Sequence, residues 1–89
     1  MKIVAVCGVG TGTSALLKIT ADKALKQIGV TATVTAASLE DAKLQRDAQI
    51  FLTTANIADE LRNTPTEVIV IDRVMDVAEV AQKLGATLL

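Results

Sequence analysis

The chain has 89 residues, enough for one domain with a single core and little margin. Apolar residues make up 51% of it, yet Phe51 is the single aromatic residue, so the core has to be built from Val, Ile, Leu and Ala. Nine basic and ten acidic residues leave a net charge of −1 with no basic tract, which argues against a nucleic-acid surface.

Strand and helix signals alternate along the chain. Lys2–Val6 is an apolar run that reads as a buried strand. It leads into Cys7 and then Gly8-Val9-Gly10-Thr11-Gly12-Thr13-Ser14, a glycine-rich turn. From Thr13 to about Ile28, the residues Leu17, Ala21, Ala24, Leu25 and Ile28 recur at helical spacing. Lys18, Asp22 and Lys26 are i,i+4 charge neighbours on another face, and Gly29 stops the helix.

The second strand, Val30–Ala36, alternates Thr31, Thr33 and Thr35 with Ala32, Val34 and Ala36, as an edge strand with one wetted face would. Ser38 with Asp41 three residues on predicts an N-cap for a short helix from Leu39 to about Arg46. A third strand follows at Ala48–Thr53, and the polar stretch Thr54 to Asn63 holds a helical turn around Ile57–Leu61. Pro65 ends that connection and Glu67–Ile71 is the fourth strand. The last helix starts on a capping-box-like Asp76 and Glu79 and carries a stripe of Val77, Val80, Ala81, Leu84 and Leu88.

Strands separated by helices call for right-handed crossovers and a parallel sheet. The expected fold is α/β: a single domain over residues 1–89, with four parallel strands in the order 2-1-3-4 and helices on both faces. In such sheets the ligand crevice lies beyond the C-terminal strand ends, beside the first strand. Cys7 occupies that place. The longest apolar runs fall far short of the roughly 20 residues that span a bilayer, and no signal-peptide pattern is visible. A lone cysteine excludes an intramolecular disulfide and suits a reducing cytosol, so a cytoplasmic location is expected.

Glycines at 8, 10 and 12 let the backbone turn tightly and bring N–H groups toward a common centre. The helix that follows adds unpaired N–H donors and the positive end of its dipole. Together they make a nest for a tetrahedral anion, with Thr11, Thr13 and Ser14 hydroxyls assisting. The same field favours thiolate over thiol at Cys7. The chain has no histidine, so a Cys–His pair and a histidine-ligated metal site are both excluded, and no cofactor is implied.

Several other readings meet this loop. A buried structural cysteine before an ordinary turn is the plainest. A Walker loop lacks its Gly-Lys-Ser/Thr, and a dinucleotide fingerprint fails because position 13 is Thr. The low-molecular-weight tyrosine phosphatases place an Arg six residues after the cysteine and use an Asp-Pro acid. Here Thr13 stands at the first position and Thr64 precedes Pro65, so phosphoryl charge in transit has no guanidinium in the loop and hydrolysis is disfavoured. A phosphatase-like enzyme and a non-catalytic phosphate-sensing domain stand as alternatives.

The run Cys7-Gly8-Val9-Gly10-Thr11-Gly12-Thr13-Ser14 resembles the phosphocysteine loop of the IIB components of the bacterial phosphoenolpyruvate-dependent sugar phosphotransferase system. It is most similar to the ascorbate and galactitol branch, with its Cys-Gly-x-Gly-x-Gly-Ser/Thr-Ser pattern. The lactose/cellobiose branch carries Ser-Ala-Gly-Met after its cysteine, which this chain does not. Thr53-Thr54-Ala55-Asn56-Ile57-Ala58 resembles the turn after the third strand in the ascorbate and galactitol branch, more weakly. The resemblance implies a phosphatase-like phosphate loop after the first strand. It also implies a relay in which Cys7 takes a phosphoryl group from a phosphohistidine on a IIA partner and passes it to a sugar or polyol bound by a membrane IIC partner. Gly8, Val9, Gly10, Thr11, Gly12, Thr13 and Ser14 would hold the phosphate, at the inner face of the membrane but without insertion.

Thr54 and Asn56 follow the third strand and Asp72 and Arg73 the fourth, so all four are expected on the rim of Cys7. Thr54, Asn56 and Arg73 are candidates for an outer ring around the phosphate, against a plain turn cap and a solvated charge. Lys18 and Lys23 are candidates for docking an acidic surface, against a solvated helix face.

Overall fold

A computed structural model of the chain describes residues 1–7, 12–45 and 47–89, with the side chains of residues 7 and 12–14 outside that description. Four strands and four helices alternate: β1 Lys2–Cys7, α1 Gly12–Ile28, β2 Thr33–Ser38, α2 Leu39–Lys43, β3 Ile50–Thr53, α3 Ala55–Leu61, β4 Glu67–Val70 and α4 Val77–Leu88. The strands form one parallel sheet in the expected order, β2-β1-β3-β4.

The period of two along β1 splits the core into two layers. Ile3 and Ala5 face α1 and α4, packing with Leu17, Ala21, Ala24 and Leu25 of α1 and Val80, Ala81 and Leu84 of α4. Val4 and Val6 face α2 and α3, packing with Ala42, Phe51, Ile57 and Leu61. Because both faces are covered, β1 reads as a continuous apolar run and its residues 3–6 have no exposed surface.

Several boundaries differ from the sequence expectation. β1 runs one residue further, to include Cys7. β2 begins at Thr33, not Val30, because the end of α1 uses the intervening residues. Gly29 adopts φ 74°, its N–H donates to the Lys26 carbonyl at 3.4 Å, and the Val30 N–H donates to the Leu25 carbonyl at 3.0 Å. That pair of bonds closes the helix in a Schellman turn and commits Val30 to its apolar contact, beside the α1–α4 layer. β2 then extends two residues past Ala36, to Ser38.

α2 stops at Lys43 rather than near Arg46, which lies outside the described residues. Its last N–H groups, on Leu44 and Gln45, bond three residues back and tighten the end. β3 starts at Ile50, two residues later than expected, and β4 ends at Val70, one earlier. α3 is longer than a single turn and starts right after Thr54. Among the described residues no helix is long and apolar enough to cross a membrane.

Candidate functional site

A parallel sheet places all its C-terminal strand ends on one rim, and here all four helices start at that rim. Cys7 is the last residue of β1, an inner strand, in register with Ser38 of β2. Four residues, 8–11, separate it from the first residue of α1, Gly12. The expected phosphate loop, Gly8, Val9, Gly10 and Thr11, lies outside the described residues, as do the side chains of Cys7, Gly12, Thr13 and Ser14.

The carbonyl just before the cysteine is held by a residue that the sequence reading passed over as a candidate. Thr53, fully buried at the end of β3, donates its hydroxyl to the Val6 carbonyl at 3.1 Å. The backbone pairing of β1 with β3 ends at Ala5 and Leu52, so this hydroxyl extends the ladder by one rung. The Thr53 carbonyl in turn accepts the Ile71 N–H at 2.7 Å and ties in the end of β4. The available signal was a hydroxyl at the end of an apolar run, since a buried hydroxyl needs a partner.

The remaining rim residues sit where expected and differ in engagement. Ser38 caps α2, its Oγ accepting the Asp41 N–H at 3.2 Å. Thr54 occupies the N-cap position of α3 without a side-chain bond to the helix backbone; its hydroxyl donates to Asn56 Oδ1 instead. The structure thus brings Thr54 and Asn56 together at the surface, and the pair closes the turn on itself. Asp72 and Arg73 are exposed on the turn between β4 and α4. Lys18 pairs with Asp22 at 3.0 Å, while Lys23 is exposed on α1.

At the start of α4 only half of the expected capping box forms. Asp76 accepts the Glu79 N–H at 3.2 Å, but the Glu79 carboxylate turns toward the preceding turn and accepts the N–H groups of Asp72 and Arg73. Burial pushes the Glu79 carboxyl up, yet the hydrogen bond from Lys83, those two backbone donors and the Lys83 charge more than offset it. Its pKa is held below the ordinary carboxylate value.

The rim is therefore polar, lined by helix starts, and centred on a strand that ends in a thiol-bearing residue. Similarity to known proteins points the same way. Residues 2–85 match the model of the family described as "PTS system, Lactose/Cellobiose specific IIB subunit". The chain is 33% identical over 90 residues, spanning 99% of its own length and 95% of the relative's, to the "Ascorbate-specific PTS system EIIB component" of Mycoplasma pneumoniae. The family description carries the lactose/cellobiose name and the relative carries the ascorbate name, so what they share is the IIB subunit. The chain belongs to the IIB subunits of the phosphotransferase system, the phosphoryl carriers that serve sugar uptake.

Proposed function

We propose that Cys7 is the residue that carries the phosphoryl group. Its thiolate attacks the phosphorus of a phosphohistidine on a IIA partner. The S–P bond forms, the N–P bond breaks, and the electron pair stays on the imidazole nitrogen. A hydroxyl oxygen of a substrate bound by a membrane IIC partner then attacks the phosphocysteine. The O–P bond forms, the thiolate leaves, and the hydroxyl proton passes to a base on the transporter or to water. The backbone of Gly8, Val9, Gly10, Thr11, Gly12, Thr13 and Ser14 holds the phosphate oxygens, with Thr54, Asn56 and Arg73 around them. Catalysis by this subunit is then positioning and electrostatics, the reacting donor and acceptor being supplied by the partners.

The observation that carries this reading is the place of Cys7: the last residue of an inner parallel strand, with four residues between it and a helix that starts on the same rim. The relative's name makes ascorbate the first acceptor to test, with other sugar acids and polyols beside it. The subunit works in the cytoplasm, docked at the membrane through IIC.

The test is a labelling experiment with radiolabelled phosphoenolpyruvate, the general phosphotransfer proteins and a panel of IIA subunits. Label is expected on one residue, Cys7, and none on Cys7→Ala or Cys7→Ser, with both variants folded. Label that persists in Cys7→Ala, or the absence of label with every IIA subunit, overturns the reading. Turnover of a soluble phosphoester by the unmodified chain would favour the phosphatase alternative.

A further inference from the structure

The sheet has two edges, and they are finished differently. The Ile71 N–H donates to the Thr53 carbonyl at 2.7 Å, so Ile69 and Ile71 turn their backbone groups toward β3 while Val68 and Val70 turn theirs outward. That outward row is guarded. Glu67 opens the strand, Pro65 stands just before it, and Lys83 Nζ donates to the Val70 carbonyl at 2.6 Å. Charge, proline and covered backbone groups are the usual means of keeping an edge from pairing with another chain.

The β2 edge has none of them. Its residues, Thr33–Ser38, carry no charge and no proline, and their one-to-one register with β1 leaves no bulge. The Thr33 N–H donates to the Met1 carbonyl at 3.0 Å, so Thr33, Thr35 and Ala37 turn their backbone groups toward β1. Val34 and Ala36 turn theirs outward, and Ala36 is exposed with only a methyl group beside them. On the same strand the Thr35 hydroxyl oxygen is buried and has no hydrogen-bond partner among the described residues.

The two ends of this edge also differ in charge. Beside its start, Lys2 is matched by Asp47 and Asp22 by Lys18, which leaves the exposed Lys26 in the last turn of α1 as a surplus cation. Lys26 lines a cleft with Val30, Thr31 and Ala32, the residues that lead into β2. Beyond its end, α2 carries exposed Glu40 and Asp41 against Lys43 alone, and neither carboxylate makes an ion pair among the described residues. An edge positive at one end and negative at the other matches a copy of itself running the opposite way and repels one running the same way.

We propose that β2 pairs with β2 of a second copy of this chain, antiparallel, about a two-fold axis between facing Thr35 residues. In that register Val34 of each copy faces Ala36 of the other, and their outward N–H and C=O groups bond in both directions. Thr33 faces Ala37, so no bulky side chain meets another. The two Thr35 residues form the closer kind of pair, without backbone bonds between them, where rotation about χ1 lets one hydroxyl donate to the other. Residues 30–32 of each copy then lie beside the start of the other's α2, which brings Lys26 toward Glu40 and Asp41. The two sheets become one continuous sheet, and the two C-terminal rims face opposite ways. Pairing of this kind is independent of the chemistry at Cys7.

Sedimentation equilibrium of the full chain is expected to show monomer at about 1 μM and dimer at about 1 mM, as for a small interface built on strand edges. Over the same range, hydrogen exchange followed by NMR should slow at the Val34 and Ala36 amides and stay unchanged at Thr33 and Thr35, which face β1. Ala36→Pro removes an N–H that the monomer does not use, so it should abolish association while far-ultraviolet circular dichroism stays that of the folded chain. Ala36→Lys, which keeps the N–H, should weaken association about tenfold by spoiling both symmetric pairs with Val34. Lys26→Glu and Glu40→Lys should each weaken it about threefold, and the two together should restore it.

A monomer across this range overturns the proposal; amides of Val34 and Ala36 that become protected only when a IIA subunit is added assign the edge to a foreign strand instead. Association that survives both Ala36 variants lies on another surface and overturns it equally. Charge reversals that weaken association singly but do not restore it together overturn the antiparallel register.

Discussion

The two ends of the sheet are built by opposite means. At the N-terminal rim, neighbouring segments are tied to each other: the Lys2 N–H donates to Gln49 Oε1 at 2.6 Å, and the Gln49 N–H returns to the Lys2 carbonyl at 2.9 Å. Lys2 Nζ reaches Gln45 and Asp47, and the Thr66 hydroxyl donates to the Ala48 carbonyl at 3.3 Å. At the C-terminal rim, polar side chains serve backbone at strand ends and helix starts: Thr53 on Val6, Ser38 on α2, and Asp76 and Glu79 around α4. Parallel topology adds a field to this contrast. All four helix N-termini, the positive ends, converge where Cys7 stands, and the negative ends collect at the other rim. One rim ties neighbouring segments together; the other gathers the helix starts beside the strand end that carries Cys7.

Substitutions can test whether stability and phosphoryl chemistry separate along this division. The largest stability effect is expected at Phe51, which is buried in the layer under α2 and α3. Phe51→Ala should cost about 3–5 kcal/mol. A chain of this length holds roughly 5–13 kcal/mol in total, so urea unfolding should show a much earlier midpoint. The rate of Cys7 labelling per folded molecule should stay within about twofold of wild type, because Phe51 pairs with Val4, three residues before Cys7, and packs under α2 and α3 rather than at the rim. A larger fall in rate would show that the division does not hold.

Thr53→Val tests the other side. It keeps the shape but leaves the buried Val6 carbonyl without its partner, at a cost of about 2–3 kcal/mol. Here stability and labelling should fall together, since the freed carbonyl belongs to the residue before the thiol. Thr53→Ser should restore both. Recovery of stability without recovery of rate would mean that the methyl group, rather than the hydroxyl bond, sets the strand end.

How much of this was legible beforehand depends on what each residue was competing with. β1 was readable because four apolar residues in a row, Ile3 to Val6, fit a strand covered on both faces. The parallel sheet followed from the alternation of strands and helices. The start of β2 was not readable: Val30 continues a Thr/Ala alternation equally well whether it pairs with β1 or closes α1, and the Schellman bonds decide for the helix. Glu79 was legible as a cap residue but not in its role, because the spacing from Asp76 says nothing of a carboxylate turning back to Asp72 and Arg73. Thr53 is legible as the end of the third strand but not in its role, because a position at a strand end does not say which carbonyl its hydroxyl meets. The glycine loop, with its cysteine, glycines and hydroxyls, lies outside the described residues, and its chemistry is a matter for the labelling test.

Glu79 gives a smaller effect with a sign that can be worked out. Lys83 on its own helix and Asp72, Arg73 and Asp76 on the adjoining turn are the charged groups that face it. Its pKa is lower folded than unfolded, so its contribution is fully present above the unfolded value of about 4.3 and is lost as pH falls through the folded value. Glu79→Gln should cost about 1–2 kcal/mol at neutral pH. The gap between variant and wild type should then close as the pH is taken from about 5 to 3. A gap that stays constant across that range would mean that the side chain acts through shape rather than charge.

The smallest effect is expected at the N-terminal rim, at Lys2. Its ammonium lies 3.2 Å from Asp47, but the two side chains are 30% and 72% exposed. Water and salt therefore screen the attraction, and holding two long side chains together costs rotamer freedom. Asp47→Asn should change stability by less than about 1 kcal/mol, and that difference should vanish at about 1 M salt. Lys2→Met should lose slightly more, because the bond to Gln45 goes with the charge, while the backbone bonds of Lys2 with Gln49 remain. Neither change should alter the labelling of Cys7, which lies at the far end of the same strand. If Asp47→Asn slowed labelling, the paired charges at this rim would be shaping the field at the other one. The two rims would then be one electrostatic unit.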